Sequence, residues 1–218
     1  MRTVGFLLLL LLVIIAARLA GGTAGRVAAE ESRKSASEDL AHFIGELEKF
    51  ELASSRRQQA LRDTYVSELQ EGGWESLFDA GRIKQDVGLA ETSRIVNRAK
   101  AALGKFEAGV LASMETSRQQ INALEISDRE RSTMLSSFDR GAKASHETLA
   151  LEHRLILEAE SVVSLLSSNT SWAVEDDRFV LQDPELRRAI GARFQEMDAI
   201  ALRQQKIYEG ANSDALAR

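Results

Sequence analysis

The chain has 218 residues, 44% of them hydrophobic and 28% charged, a globular balance that excludes an unstructured polymer and suffices for one domain with a real core. Its formal net charge of −5, with Lys and Arg dispersed among Glu and Asp, gives no electrostatic ground for binding nucleic acid or an anionic membrane surface. Cysteine is absent, which excludes disulfides, thiol catalysis, thiolate metal sites and the lipid-carrying cysteine of a bacterial lipoprotein; the single proline favours long helices.

The N-terminus reads "MRTVGFLLLLLLVIIAARLAGGTAGR": Arg2, a continuous apolar run from Val4 to Ala17, then small residues. That is the order of a secretory signal. The apolar run before Arg18 is shorter than the ~20 residues a spanning helix needs, and reaches that length only if Arg18 snorkels and the following small residues are included. Residues 1–24 are therefore expected to be a signal peptide or an N-terminal membrane anchor. The protein is expected to be exported, and either periplasmic or anchored to the inner membrane, with membrane contact only through this segment. Residues 25–34, "GRVAAEESRK", read as a polar tether.

A helical-bundle domain is expected over 35–210. Ser35 and Glu38 have capping-box spacing, and Leu40, Phe43, Ile44, Leu47 and Phe50 then share one helical face. The stripe resumes at Leu61, Tyr65 and Leu69, and Gly72-Gly73 stops the helix. After the apolar patch Trp74, Leu77 and Phe78, a second helix is expected from about Ile83 to Leu124, with Val96, Ala99, Leu103, Phe106, Val110, Ser117 and Leu124 on its seam. Ser127 and Glu130 form another capping box and start a third helix, whose seam runs from Leu135 and Phe138 through Leu149, Ile156, Ala159 and Val163 to Leu166.

In "SWAVEDDRFVLQDPELRRAI" the pairs Trp172/Val174 and Phe179/Leu181 alternate on either side of a four-residue loop, a β-hairpin pattern over about 172–181. Asp183 caps a last helix with Pro184 in its first position; that helix ends near Gly210 and leaves 211–218 as a flexible tail. The fold class is thus all-α: an up-down bundle of four long helices with coiled-coil-like packing and a short hairpin before the last helix. This topology brings Trp172 and Phe179 to the same end as Trp74, Leu77 and Phe78.

No arrangement of residues reads as catalytic, cofactor-binding or metal-ligating, and no cofactor is expected. His146 and His153 share a helix face but stand ~10 Å apart along the axis, too far to bind one ion. Glu175, Asp176 and Asp177 lack the alternating spacing and glycine of a calcium loop and read as a solvated turn. Nucleophile elbows and phosphate-cradling glycine loops are missing as well. Trp172, Arg178 and Phe179 carry two readings. Either the rings plug the end of the bundle with Arg178 solvated, or the three form a partner-binding tip, since aromatics and Arg are favoured at interface hot spots.

The same run, after three long helices, resembles a group of small exported bacterial envelope proteins grouped as a domain of unknown function. The shared features are a hydrophobic pair, an acidic turn, a Phe and a polar helix start. Many members are lipidated, and this chain departs from them in lacking the cysteine. The resemblance implies an envelope location and supplies no functional residues. Together these features lead to the expectation of a non-enzymatic interaction or structural component with protein partners in the envelope. The alternative is an extracytoplasmic ligand-binding or sensing bundle that acts through a partner.

Overall fold

The computed structural model describes residues 26–216, so the segment expected to be a signal or anchor lies outside the described residues. Helix α1 spans Arg26–Glu71, α2 Ala80–Gln85, α3 Ala90–Ala123, α4 Asp128–Ser167 and α5 Pro184–Leu216. Strands β1 (Trp172–Glu175) and β2 (Arg178–Leu181) precede α5, and single 3-10 turns occupy Trp74–Ser76 and Val87–Leu89.

The capping-box spacing of Ser35 and Glu38 does not start a helix, because α1 is already helical from Arg26 and takes up almost all of the segment read as a tether. The run "RVAAEES" is rich in Ala, Glu and Arg, and without Gly or Pro nothing there favours leaving the helix. Gly72-Gly73 does end α1. Gly73 adopts φ 84°, and a Cβ on Gly72 would stand 2.9 Å from the Glu68 carbonyl oxygen.

The second long helix begins at Ala90, not near Ile83. Residues 80–85 form the separate helix α2, and the backbone then turns through Gly88 (φ 65°) and Leu89 (φ 55°), both left-handed. Asp86 makes this turn worthwhile: its carboxylate accepts from the backbone N–H of Glu91 (2.9 Å) and of Thr92 (2.7 Å), capping α3 from outside the helix.

The starts of α4 and α5 follow the sequence. Ser127 Oγ accepts from Glu130 N–H while the Ser127 N–H donates to Glu130 Oε2 (2.9 Å), a complete capping box. Arg131 reaches back to the end of α3 and donates to the carbonyls of Ile121 (2.9 Å) and Leu124 (3.0 Å). Asp183 Oδ1 accepts from Glu185 N–H (2.8 Å) ahead of Pro184. Helix α5 then passes Gly210 and continues to Leu216, so residues 211–216, expected as a tail, are helical.

The long helices pack in chain order, α1 on α3, α3 on α4 and α4 on α5, as the short connections require. One core runs through Tyr65, Leu77, Ile83, Ile95, Leu103, Ile156, Val162, Leu166, Leu186 and Ile190. Val96, Ala99, Leu103 and Ser117 of the α3 seam are buried as expected, and so are Leu149, Ile156, Ala159, Val163 and Leu166 of α4. The simple seam misses Thr92, Ile95, Ala102, Ser113 and Ile121. These extra positions arise because α3 lies between α1 and α4, and a helix with two neighbours buries a wider arc than a two-position seam.

Between α1 and α3, Tyr65 stacks on Phe106 at 4.8 Å, and a Cβ on Gly109 would overlap Leu61. The Tyr65 hydroxyl donates to Glu152 Oε2 of α4 (3.1 Å), and Gln204 of α5 donates to Glu152 Oε1 (3.0 Å). Burial raises the Tyr65 pKa well above that of a free phenol, and the charge and hydrogen bond of Glu152 add to the shift. The hydroxyl therefore stays a donor and ties three helices together. Ion pairs such as Lys105–Glu68 (2.8 Å) and Arg193–Glu158 (3.0 Å) mark the antiparallel registers but, being exposed, add little stability each.

Candidate functional site at the hairpin end

The chain after α4 is turned by Trp172. Its indole N–H donates to the carbonyls of Leu166 (2.7 Å) and Asn169 (3.0 Å), satisfying acceptors at the helix end. The strands pair antiparallel with Trp172 opposite Leu181, Ala173 opposite Val180, Val174 opposite Phe179 and Glu175 opposite Arg178. The connection is thus tighter than the expected four-residue loop. Only Asp176 (φ 48°) and Asp177 (φ 55°) lie between the strands, and both are left-handed as a type I′ turn requires. Asp is one of the few residue types that tolerate this region. Asp177→Gly is accordingly expected to hold or slightly raise stability, and Asp177→Val to lower it by about 1–2 kcal/mol, read by urea denaturation.

Strand parity divides the hairpin. Trp172, Val174, Phe179 and Leu181 share one face, and the rings of Trp172 and Phe179 stand 6.1 Å apart. Both rings are half-buried and pack against the core that contains Leu77, with Trp74 and Phe78 packed on it as well. Both strands pack on α2, which directly follows the 74–78 patch, so the rings lie at the same end of the bundle as that patch, as expected. Phe78 in turn meets Phe194 of α5 edge to face at 5.1 Å. Arg178 belongs to the opposite face with Glu175, and both are exposed. So the three residues proposed as a tip do not make one surface: the rings face the bundle and Arg178 turns away.

The same end holds a cluster without any motif in the sequence. Arg82 of α2 donates through Nε to Ser76 O (3.0 Å) and through Nη2 to Leu77 O (2.7 Å) and Thr92 Oγ1 (3.0 Å). Its Nη1 pairs with Asp86 Oδ2 at 3.4 Å, and that oxygen also accepts from Thr92 Oγ1 (2.6 Å). Thr92 is fully buried and the Asp86 side chain is 6% exposed. Burial opposes the charge on Asp86, but donation from Thr92 Oγ1, Glu91 N–H and Thr92 N–H and the charge of Arg82 outweigh it and hold the carboxyl below its ordinary value. The only sequence signal was the i,i+4 spacing of Arg82 and Asp86, which usually marks an exposed pair. This cluster braces the α2–α3 corner beneath the hairpin.

Among the described residues no group of three or more His, Cys, Asp or Glu side chains is placed to hold a metal ion, and no helix is long and apolar enough to cross a membrane. His153 lies 3.0 Å from Glu107 of α3, a cross-helix contact with both partners well exposed. A concavity of about 730 Å³ beside Asp128, Arg131, Leu135, Asp139 and Lys143 is lined by α4 alone and opens broadly to solvent. No protein-family model matches the chain, and comparisons with curated proteins and with solved structures give no match.

Proposed function

We propose that this chain is an exported, non-enzymatic helical-bundle protein of a bacterial envelope, an interaction or structural component that works through protein partners. It is periplasmic or held at the inner membrane by residues 1–24. The observation that carries this reading is the placement of the charged hairpin turn. Glu175, Asp176, Asp177 and Arg178 stand exposed at the end of the bundle where α1 finishes, and the 46 residues of α1 give a rod of roughly 70 Å from Arg26 to that end. A two-residue turn holds these groups in a fixed geometry, so little conformational freedom is lost when a partner is engaged. The signal-like order of residues 1–24 and the resemblance of the hairpin region to exported envelope proteins support the location.

The test is a photo-crosslinker placed at Glu175 in cells expressing the full chain, with exposed Leu157 of α4 as the control position. A discrete adduct is expected from Glu175 in the envelope fraction and none from Leu157. Arg178→Glu is expected to weaken that adduct roughly tenfold while shifting stability by no more than about 0.5 kcal/mol. An adduct indifferent to Arg178→Glu removes the tip from the reading, and turnover of a substrate by the purified protein overturns the reading itself.

A further inference from the structure

We propose that the first half of α1 is a latch, which opens from α3 at a polar seam around Arg57 while the core at the hairpin end stays folded. The core's buried members on α1 and α3 stop at Tyr65 and Leu103, with Phe106 and Val110 packed at its edge. Beyond that edge α1 and α3 still touch, but their contact changes character. Leu61 covers Gly109, and the next level brings Arg57 against Ser117 and Gln120, with Ser113 buried one turn before Ser117 on α3.

Closing this seam removes polar groups from water and returns few bonds. Arg57 Nη2 donates to two neutral acceptors, Gln120 Oε1 at 3.0 Å and Ser117 Oγ at 3.4 Å, and among the described residues no carboxylate pairs with it. Arg57 Nε is buried without an acceptor. Ser113 Oγ, one turn from Ser117, is likewise buried without a partner. Buried polar atoms left in this state oppose the closed form. Phe43 and Leu47, buried on α1 further towards its start, are not members of the continuous core.

Among the described residues from Leu61 to Glu71, no buried side-chain polar atom lacks a partner. Tyr65 stacks on Phe106 and reaches Glu152, which also holds Gln204, so this level is fixed to α3, α4 and α5 together. The opening therefore stops between Leu61 and Tyr65. Helix α1 is continuous through the seam in the closed form, and once α3 no longer covers it, its backbone bonds there open more readily than those at Tyr65. The opening lets the start of α1 move without disturbing the hairpin end.

Native-state amide hydrogen exchange on the full chain tests this. Amides of residues 52–60 are expected to exchange at least tenfold faster than those of 64–69 in the same helix. Ser113→Ala removes a buried hydroxyl without a partner and suits a helix, so it is expected to slow exchange at 52–60 roughly tenfold while leaving 64–69 unchanged. Arg57→Met acts in the same direction. Equal protection along α1 overturns the latch. So does Ser113→Ala that leaves exchange at 52–60 as fast or makes it faster, because the hydroxyl would then be satisfied in the closed form.

Discussion

Asp86→Ala is expected to lower stability by about 3–5 kcal/mol. The carboxylate accepts from the N–H groups of Glu91 and Thr92 and from Thr92 Oγ1, so its loss leaves three donors without an acceptor at a nearly closed site. It also leaves the Arg82 guanidinium, whose side chain is 23% exposed, without its counter-charge beside α2. For a chain of this size the loss corresponds to a melting temperature lower by roughly 6–20 °C. Asp86→Asn keeps the volume and some acceptor capacity and is expected to cost less. In a double-mutant cycle, Arg82→Leu combined with Asp86→Ala is expected to cost less than the sum of the single changes, because each change alone strands the other partner. Additive losses would show that Arg82 and Asp86 act separately.

The pH dependence of this effect has a definite sign. The Asp86 carboxyl is held below its ordinary value in the folded protein, against the pull of burial, by its hydrogen-bond donors and by Arg82. Between the folded and unfolded pKa values the unfolded chain binds more protons, so stability rises with pH in that window. The contribution is complete above the unfolded value, about 4, and is lost as pH falls through the folded value. The gap between wild type and Asp86→Ala is therefore expected to be full near neutral pH and to narrow in acid. A gap that widens below about pH 4 would mean that burial outweighs the hydrogen bonds.

What could be read in advance depended on whether the physics was periodic or local. The long stripes through Leu149, Ile156 and Val163 on α4 repeat over many turns, so the helices and their order were legible. Caps contained within four residues, as at Ser127–Glu130 and Asp183–Pro184, were legible too. Ser35–Glu38 carries the same spacing inside a run of strong helix formers, and there propensity on both sides overrides it. The start of α3 was misplaced because Asp86 caps it across a left-handed Gly88-Leu89 turn, a device with no period and no short motif. At the hairpin, alternation marked the pairs Trp172/Val174 and Phe179/Leu181, but reading Arg178 into a four-residue loop concealed that it lies on the opposite face from the rings. The two-residue turn was hidden because Asp176 and Asp177 occupy positions where glycine or asparagine is the usual signal. The Arg82 cluster was invisible because burial of an i,i+4 ion pair depends on what packs over it, here the Ser76–Leu77 carbonyls and Thr92.

Trp172→Ala is expected to cost about 2–3 kcal/mol, somewhat less than a fully enclosed ring because Trp172 is only half-buried. Two losses combine: the packing against Phe179 and the core, and the indole donation to Leu166 and Asn169 that closes α4. Trp172→Phe separates them. It keeps an aromatic ring in place but removes the donor, and is expected to cost about 1 kcal/mol. Urea denaturation followed by far-ultraviolet circular dichroism reads both without depending on the indole signal. Set beside Arg178→Glu, the series distinguishes the two readings of the hairpin. A plug requires Trp172→Ala to weaken the fold, with Trp172→Phe intermediate. A tip that works through its ring requires the opposite: a Trp172→Ala protein as stable as wild type that has lost the Glu175 crosslink. Because the indole N–H is already committed to two carbonyls within its own bundle, the first outcome is the one the geometry demands, and under the proposed function the partner would meet the outward face that carries Glu175 and Arg178.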